Sequence, residues 1–262
     1  MSFYLKLRKK LEKKIPKKEL DILPRSYNMI GDILILKLKS EKHKKKIAKA
    51  VLDIIPSAKT IVLDKGITGI KRKPKIEILA GEKKTITLHK EHGAKFWIDI
   101  SKTMWSKGNK FEKQRLMKLV KKNEIIVDMF SGLGYFSIIL AKKAKKVYAI
   151  DINKDAIEFL ERNVLLNKLN NVEILHGDCR KFAKLLENTA DRIIMGYIYN
   201  TEKFLPYALK IAKKNAVIHF HRITKDPEKI KKKLEKYGKV SYRLVKTYAP
   251  NVGHYVFDIK LK

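Results

Sequence analysis

From residue 124 onward the chain alternates short apolar, β-branched runs with amphipathic stretches of helix length. The runs are EIIVDMF (124–130), KVYAID (146–151), NVEILHGD (171–178), DRIIMGY (191–197) and NAVIHFHR (215–222). That alternation predicts βαβ units around a parallel sheet. Two more strand-like segments, around 239–248 and 253–260, follow with no helix between them and with TYAPNVGHY as the turn, which predicts an antiparallel edge. Before residue 100 the texture changes. Lys-rich helical stretches (2–14 and 40–54), the alternating runs DILILKLK and TIVLDKG, and a Pro-Gly-Lys region around 66–84 predict a smaller basic α+β domain. The fold class is therefore α/β, a Rossmann-like sheet over 96–262 preceded by a small domain over 1–95, with the boundary falling between Glu91 and Met104.

Charge sharpens this picture. The 262 residues carry 61 Lys and Arg against 27 Asp and Glu, a formal net charge of +34. Surface networks of heat-adapted proteins also use many lysines, but they balance them with glutamates, and here no balance exists. The excess runs through both parts: residues 1–100 hold 26 basic and 11 acidic side chains, net +15, and the remainder 35 and 16, net +19. A chain so basic throughout is drawn to a polyanion, with nucleic acid the first partner to consider. No apolar run approaches the length of a membrane span, and MSFYLKLRKK lacks the apolar core of a signal peptide, so the protein reads as cytoplasmic with no membrane partner.

One cysteine, Cys179, excludes an intrachain disulfide and a zinc site built on several thiolates. His219 and His221 alternate on one face of a strand, yet no third ligand is in view, and no metal is assigned.

The richest stretch is IIVDMFSGLGYFSIILAKKAKKVYAID. A strand ends at Asp128, Gly132 and Gly134 make a tight turn, a helix begins at Phe136, and a second strand ends in Asp151. Glycines suit a loop whose backbone a ligand approaches closely, and an acid about 19 positions on suits a ribose hydroxyl pair. A third strand ends HGDCR, placing Asp178 where it can accept from an adenine amine. A nicotinamide dinucleotide fits part of this, but its third fingerprint glycine is missing, Tyr135-Phe136-Ser137 standing after Gly134. Asp151 alone could equally cap the helix beginning near Lys154.

These residues resemble the class I S-adenosylmethionine-dependent transferases, in the branch of the tRNA guanine-37 N1-methyltransferases and their wybutosine-pathway relatives. DMFSGLGYF, the acid of VYAID and the GDCR stretch carry the resemblance, and MWSKGNKFEKQRL (104–116) is similar to the segment that precedes the catalytic sheet in that branch. The resemblance implies S-adenosylmethionine as group donor. It implies Ser106, Lys113, Phe130, Gly132, Gly134, Asp151, Asp178 and Cys179 as its contacts.

It also frames a question about MGYIYN (195–200). Base-amine methyltransferases of this kind carry Asn or Asp followed by prolines at this strand exit, and here stand Gly196 and Tyr197. The wyosine-pathway relatives that transfer the 3-amino-3-carboxypropyl group are expected to lack that signature. The resemblance therefore implies transfer of that group to C7 of 4-demethylwyosine at position 37 of tRNA(Phe), with a guanine-37 N1-methyltransferase as the alternative. A non-catalytic RNA-binding protein would need a broken donor site, which the intact glycines and acids do not suggest. Tyr197, Tyr199 and His221 are the candidate catalytic residues. The anticodon stem-loop is the expected partner of a monomer, with Arg25, Lys71, Arg72, Lys73, Lys75, Arg222 and Lys225 as phosphate contacts.

Overall fold

In the computed structural model, which describes residues 1–69, 73–103 and 109–262, the chain divides into two units. The first takes Met1–Glu91 and Lys95–Trp105, the second His92–Ala94 and Ser106–Lys262.

In the first unit, α1 (Phe3–Leu11) starts where the Ser2 hydroxyl accepts from the Leu5 N–H, and it ends on Arg8, Lys9 and Lys10, cations suited to the negative end of the helix dipole. A short α2 (Lys17–Asp21) follows. Strands β1 (Asn28–Ile30) and β2 (Ile33–Leu36) form a hairpin turning at Gly31, whose φ is +54°. Helix α3 (Lys44–Ile54) then crosses over to β3 (Thr60–Thr68), which lies parallel to β2. The Pro-Gly-Lys region contains an edge strand, β4 (Lys73–Gly81), antiparallel to β3, with Pro74 opposite Ile67, a place where proline's missing N–H breaks no inner ladder. Leu7 and Leu11 of α1 and Ile47 and Val51 of α3 bury against Leu34, Leu36, Ile61 and Leu63. The spacing of these leucines and isoleucines is what commits the Lys-rich helices to the sheet, each buried side chain contributing about 1.5–3 kcal/mol. A separate hairpin, β5 (Ile86–Glu91) and β6 (Ala94–Asp99), turns at His92 and Gly93.

The second unit begins with α4 (Lys110–Leu119) and is built on a seven-stranded sheet. Its strands are β7 (Ile125–Asp128), β8 (Lys146–Asp151), β9 (Val172–His176), β10 (Ala190–Met195), β11 (Ala212–Thr224), β12 (Gly238–Ala249) and β13 (Val252–Leu261). The order is β12-β13-β11-β10-β7-β8-β9, with β7 to β11 parallel and β13 and β12 antiparallel at the edge. Helices α5 (Ser137–Ala141), α6 (Lys154–Leu166) and α7 (Leu205–Ile211) make three of the crossovers, a 3-10 turn over Cys179–Phe182 lies on the path from β9 to β10, and α8 (Pro227–Leu234) links β11 to β12. The sheet is packed on both faces, by Ile150, Ile193, Ala208, Ile218 and Phe257 in one cluster and Leu116, Ile126, Leu140, Val147 and Ile194 in the other. Chain order runs outward from β7 to β9 and then returns to β10, so the carboxyl ends of β7 and β10 flank the switch point where open α/β sheets bind ligands.

Among the described residues, no helix is long and apolar enough to cross a membrane, and no three His, Cys, Asp or Glu side chains gather to hold a metal ion.

Candidate active site

The site grows from the carboxyl ends of four parallel strands. Asp128, the last residue of β7, is fully buried, with Ser137 Oγ donating to its Oδ2 at 2.7 Å and the Phe130 N–H to its Oδ1 at 3.4 Å. Burial raises its pKa to about 7, against the lowering effect of those donors. The loop that follows is tied to the sheet by Met129 N–H to the Ile194 carbonyl and Ser131 N–H to that of Ile150. Gly132 and Gly134 take φ of +56° and +100°. A Cβ on Gly132 would lie 2.3 Å from the Tyr135 ring, and one on Gly134 2.5 Å from Ile138 and 2.8 Å from Leu160. The chain's own packing thus requires both glycines, in addition to the close ligand approach that the motif suggests.

Asp151 closes β8. Its Oδ2 accepts the Gly132 N–H at 2.7 Å and its Oδ1 the Asn153 N–H at 2.8 Å. Burial pushes its pKa up while these N–H groups pull the other way. Asn153, not Asp151, caps α6, its side chain accepting from the Asp155 N–H. Asp151 is thereby held against the glycine loop with lone pairs left over, since each carboxylate oxygen can accept more than one hydrogen bond. Ile152 beside it is 60% exposed, an apolar face at the rim that suits a purine.

Asp178 follows β9. Its carboxylate accepts the Arg180 N–H at 2.9 Å and the Arg180 guanidinium, whose Nε lies 3.0 Å from both oxygens. Arg180 holds this carboxyl below its ordinary range. The Cys179 side chain is buried in the sheet's core cluster, and burial raises its thiol pKa to about 12.

Aromatic rings fill the switch point. Phe130 stacks on Tyr197 with centroids 5.3 Å apart and meets Phe204 edge-on at 5.0 Å. Tyr197 contacts Tyr199 at 6.1 Å, and the Arg180 guanidinium sits 5.5 Å from the Phe204 ring centroid. The loop is locked by the buried Thr201 hydroxyl, which donates to the Tyr197 carbonyl, and by Asn200 at φ +49°. Gly196 is different from the loop glycines, because a Cβ there would meet only ordinary contact with Phe136 at 3.5 Å.

His221 follows Phe220, the β11 partner of Met195, and its ring contacts are with Phe136 and His254. It is fully buried, its Nδ1 2.9 Å from His254 Nε2 and its ring 6.0 Å from Phe136, and burial holds its pKa well below the usual value. His219 belongs to a buried ion cluster: Arg192 Nη1 donates to its Nε2 at 2.7 Å, so the proton on Nδ1 is given to Asp258 at 2.6 Å. Neither histidine is a metal site among the described residues.

Lys113 is buried on α4 with its ammonium 5.8 Å from the Tyr135 ring of the glycine loop. Ser106 lies outside the described residues, as do Lys71, Arg72 and the side chain of Lys73. Lys75 and Lys225 are exposed, Arg25 sits over the Tyr4 ring at 5.7 Å, and Arg222 pairs with Glu202 at 2.5 Å. Ile152, Arg180, Phe204 and Tyr248 are candidate site residues that motif reading passed over. For Ile152 the signal was available, an apolar residue directly after a strand-end acid.

A glycine turn, three strand-end acids and a parallel sheet with an antiparallel edge define the class I S-adenosylmethionine-dependent transferase fold. The chain belongs to the TRM5/TYW2 family: the TRM5/TYW2 methyltransferase domain matches residues 87–245 and the TYW2 N-terminal domain residues 7–85. It is 41% identical to the tRNA(Phe) (4-demethylwyosine(37)-C(7)) aminocarboxypropyltransferase of Methanocaldococcus jannaschii, over 90% of this chain and 98% of that one. It is 38% identical to the tRNA (guanine(37)-N(1))-methyltransferase Trm5b of the same organism, over 94% of this chain and 74% of that one. The crystal structure of P. horikoshii TYW2 in complex with MeSAdo superposes with a TM-score of 0.83 at 34% identity, covering 99% of both chains.

Proposed function

We propose that this protein transfers the 3-amino-3-carboxypropyl group of S-adenosylmethionine to C7 of 4-demethylwyosine at position 37 of tRNA(Phe). The observation that carries the reading beyond the family is the exit of β10. Gly196 offers no acceptor, and Tyr197 turns its ring onto Phe130, so the two positions directly after β10 carry no side-chain amide or carboxylate to hold a base amine for methylation. Near-complete two-way coverage of the aminocarboxypropyltransferase relative agrees with it.

The donor residues fit. Asp151 presents spare lone pairs to a ribose, Ile152 an apolar rim, and Asp178 with the Cys179 backbone a polar edge for adenine. The sulfonium supplies the electrophilic carbon. The protein's part is to exclude water, to fix the nucleoside, and to hold the acceptor ring among Phe130, Tyr197 and Tyr199 so that C7 faces the γ-carbon rather than the methyl group. The new bond joins C7 to the γ-carbon as the γ-carbon–sulfur bond breaks, methylthioadenosine leaves, and the C7 proton is released. Positioning of this kind lowers a barrier by about 7–11 kcal/mol at best. Arg25, Lys75, Arg222 and Lys225, with Arg72 and Lys73, are proposed to meet phosphates of the anticodon stem-loop, and the enzyme to act as a cytoplasmic monomer. Its RNA affinity should then fall with salt, with a slope of about 0.7–0.9 per phosphate contacted.

The test is product identity. With tRNA bearing 4-demethylwyosine, carboxyl-labelled donor should label the RNA and methyl-labelled donor should leave its label on methylthioadenosine. Label entering RNA only from the methyl position overturns the assignment in favour of methylation.

A further inference from the structure

We propose that Tyr199 and Tyr248 form one stacking surface for the nucleobase that adjoins the acceptor in the single-stranded RNA loop. The inference rests on the RNA substrate proposed above and adds a second point of contact, on a different element, for that substrate.

Strand pairing places the two tyrosines at the same edge of the sheet. Thr224, the last residue of β11, pairs with Gly253 of β13, and Thr247 of β12 pairs with the same Gly253. The β12–β13 hairpin therefore turns at the carboxyl edge of the parallel strands, where Tyr199 leaves β10. There the Tyr199 and Tyr248 hydroxyls lie 2.6 Å apart. This bond ties the hairpin tip to the β10 exit loop and sets the position of both rings, which are nonetheless 38% and 48% exposed. Leu244 on the same hairpin is 52% exposed. Inward from Tyr199 the rings continue through Tyr197 to Phe130, giving an aromatic row that runs from the donor loop out to solvent.

Two rings held by their polar ends, with apolar area turned to water, suit a flat ligand that stacks. The setting specifies a charged flat ligand. Arg222 and Lys225 at the end of β11 and Arg243 and Lys246 on β12 border the same edge of a chain with net charge +34, which fits bases on a phosphate backbone. An acceptor base that enters the inner part of the row has left its own stack, and its neighbour loses a stacking partner at that moment. The outer tyrosines stand where that neighbour would emerge.

The test uses the full-length protein and an anticodon stem-loop carrying 2-aminopurine at the nucleotide 3′ of the acceptor and, in a second RNA, 5′ of it. Binding should quench one of the two probes, and Tyr248→Ala should remove most of that quenching while Tyr248→Phe, which keeps the ring, retains it. Tyr248→Ala should weaken binding of the natural loop about tenfold, and by less than about twofold a loop that is abasic at that neighbour. Donor affinity by calorimetry checks that each variant is folded. A loop that binds equally well to wild type and Tyr248→Ala, or an equal loss on intact and abasic loops, overturns this inference alone. A protein that does not bind the loop overturns the proposed function and this inference with it. Sedimentation showing a Tyr248-dependent dimer would assign the surface to a second copy and also refute it.

Discussion

Asp258 and Asp151 stand on the same sheet and are both largely shielded from water, but their oxygens are used differently. Asp258 faces Arg115 at 2.5 and 3.0 Å and His219 at 2.6 Å. Burial would raise its pKa, and these partners hold it well below the carboxylate range. Arg115 also binds Glu112 at 2.6 and 2.8 Å, while Arg192 grips Glu124 with two bonds and points at His219. Cations and anions here answer one another. At Asp151 the Asn153 and Gly132 N–H groups hold the carboxylate and leave lone pairs unspent, and the His176 charge acts on it more weakly than those backbone groups. The lesson is that a buried charge gripped by cationic hydrogen-bond donors holds elements together, whereas one steadied chiefly by backbone N–H groups is kept ready for a ligand.

The largest effect should come from breaking the satisfied cluster. Arg192→Met would leave the Glu124 carboxylate and His219 without their donor in the interior, a loss of about 3–5 kcal/mol of stability measured by urea unfolding. Donor affinity of the protein that remains folded should be unchanged. A loss confined to donor binding, with stability intact, would reverse the roles assigned to the two regions.

Next comes Asp128, a carboxyl inside the site edge with no cation beside it. Its pKa is raised to about 7 in the folded chain, so its contribution is full below the unfolded value near 3.9 and is lost as pH rises through about 7. Asp128→Asn cannot ionise. Its stability relative to wild type should improve by about 1.4 kcal/mol per pH unit across that window and level off above it. The buried His219, His221 and His254, whose pKa values burial lowers, act in the opposite sense but equally in both proteins, so the difference isolates Asp128. A difference that stays flat between pH 4 and 8 would show that Asp128 is solvated.

Much of this was legible in the sequence, for physical reasons. β-branched runs with period-two or continuous burial marked the parallel strands, and the glycine pattern marked the tight turn that Asp151 holds, because both signals are local. Contacts far apart in the chain were not. Nothing local in HFHR distinguishes a ligand from a core residue, and only β13, more than thirty positions on, brings Asp258 to His219 and His254 to His221. Tyr248 joins Tyr199 across 49 residues for the same reason. Cys179 shows a finer limit: GDCR names a cysteine directly after the strand-end acid, but the turn over Cys179–Phe182 leaves its side chain in the core, which no local pattern shows.

The smallest effects lie in the donor pocket, and their signs carry the information. Asp151→Ala should weaken donor binding by about 1.5–3 kcal/mol in calorimetry, the range for hydrogen bonds to a charged acceptor, with little change in unfolding midpoint. Arg180→Ala should act the other way. Its guanidinium covers both oxygens of Asp178 and rests over Phe204, so an adenine amine must compete for the same carboxylate. Because Arg180 is half exposed, solvent weakens that ion pair, and its removal should tighten donor binding by no more than about fivefold. A weakening instead would mean that Arg180 orients Asp178 for the nucleoside, so that a side-chain cation helps to hold the donor, and would narrow the contrast with the Asp258 cluster to Asp151 alone.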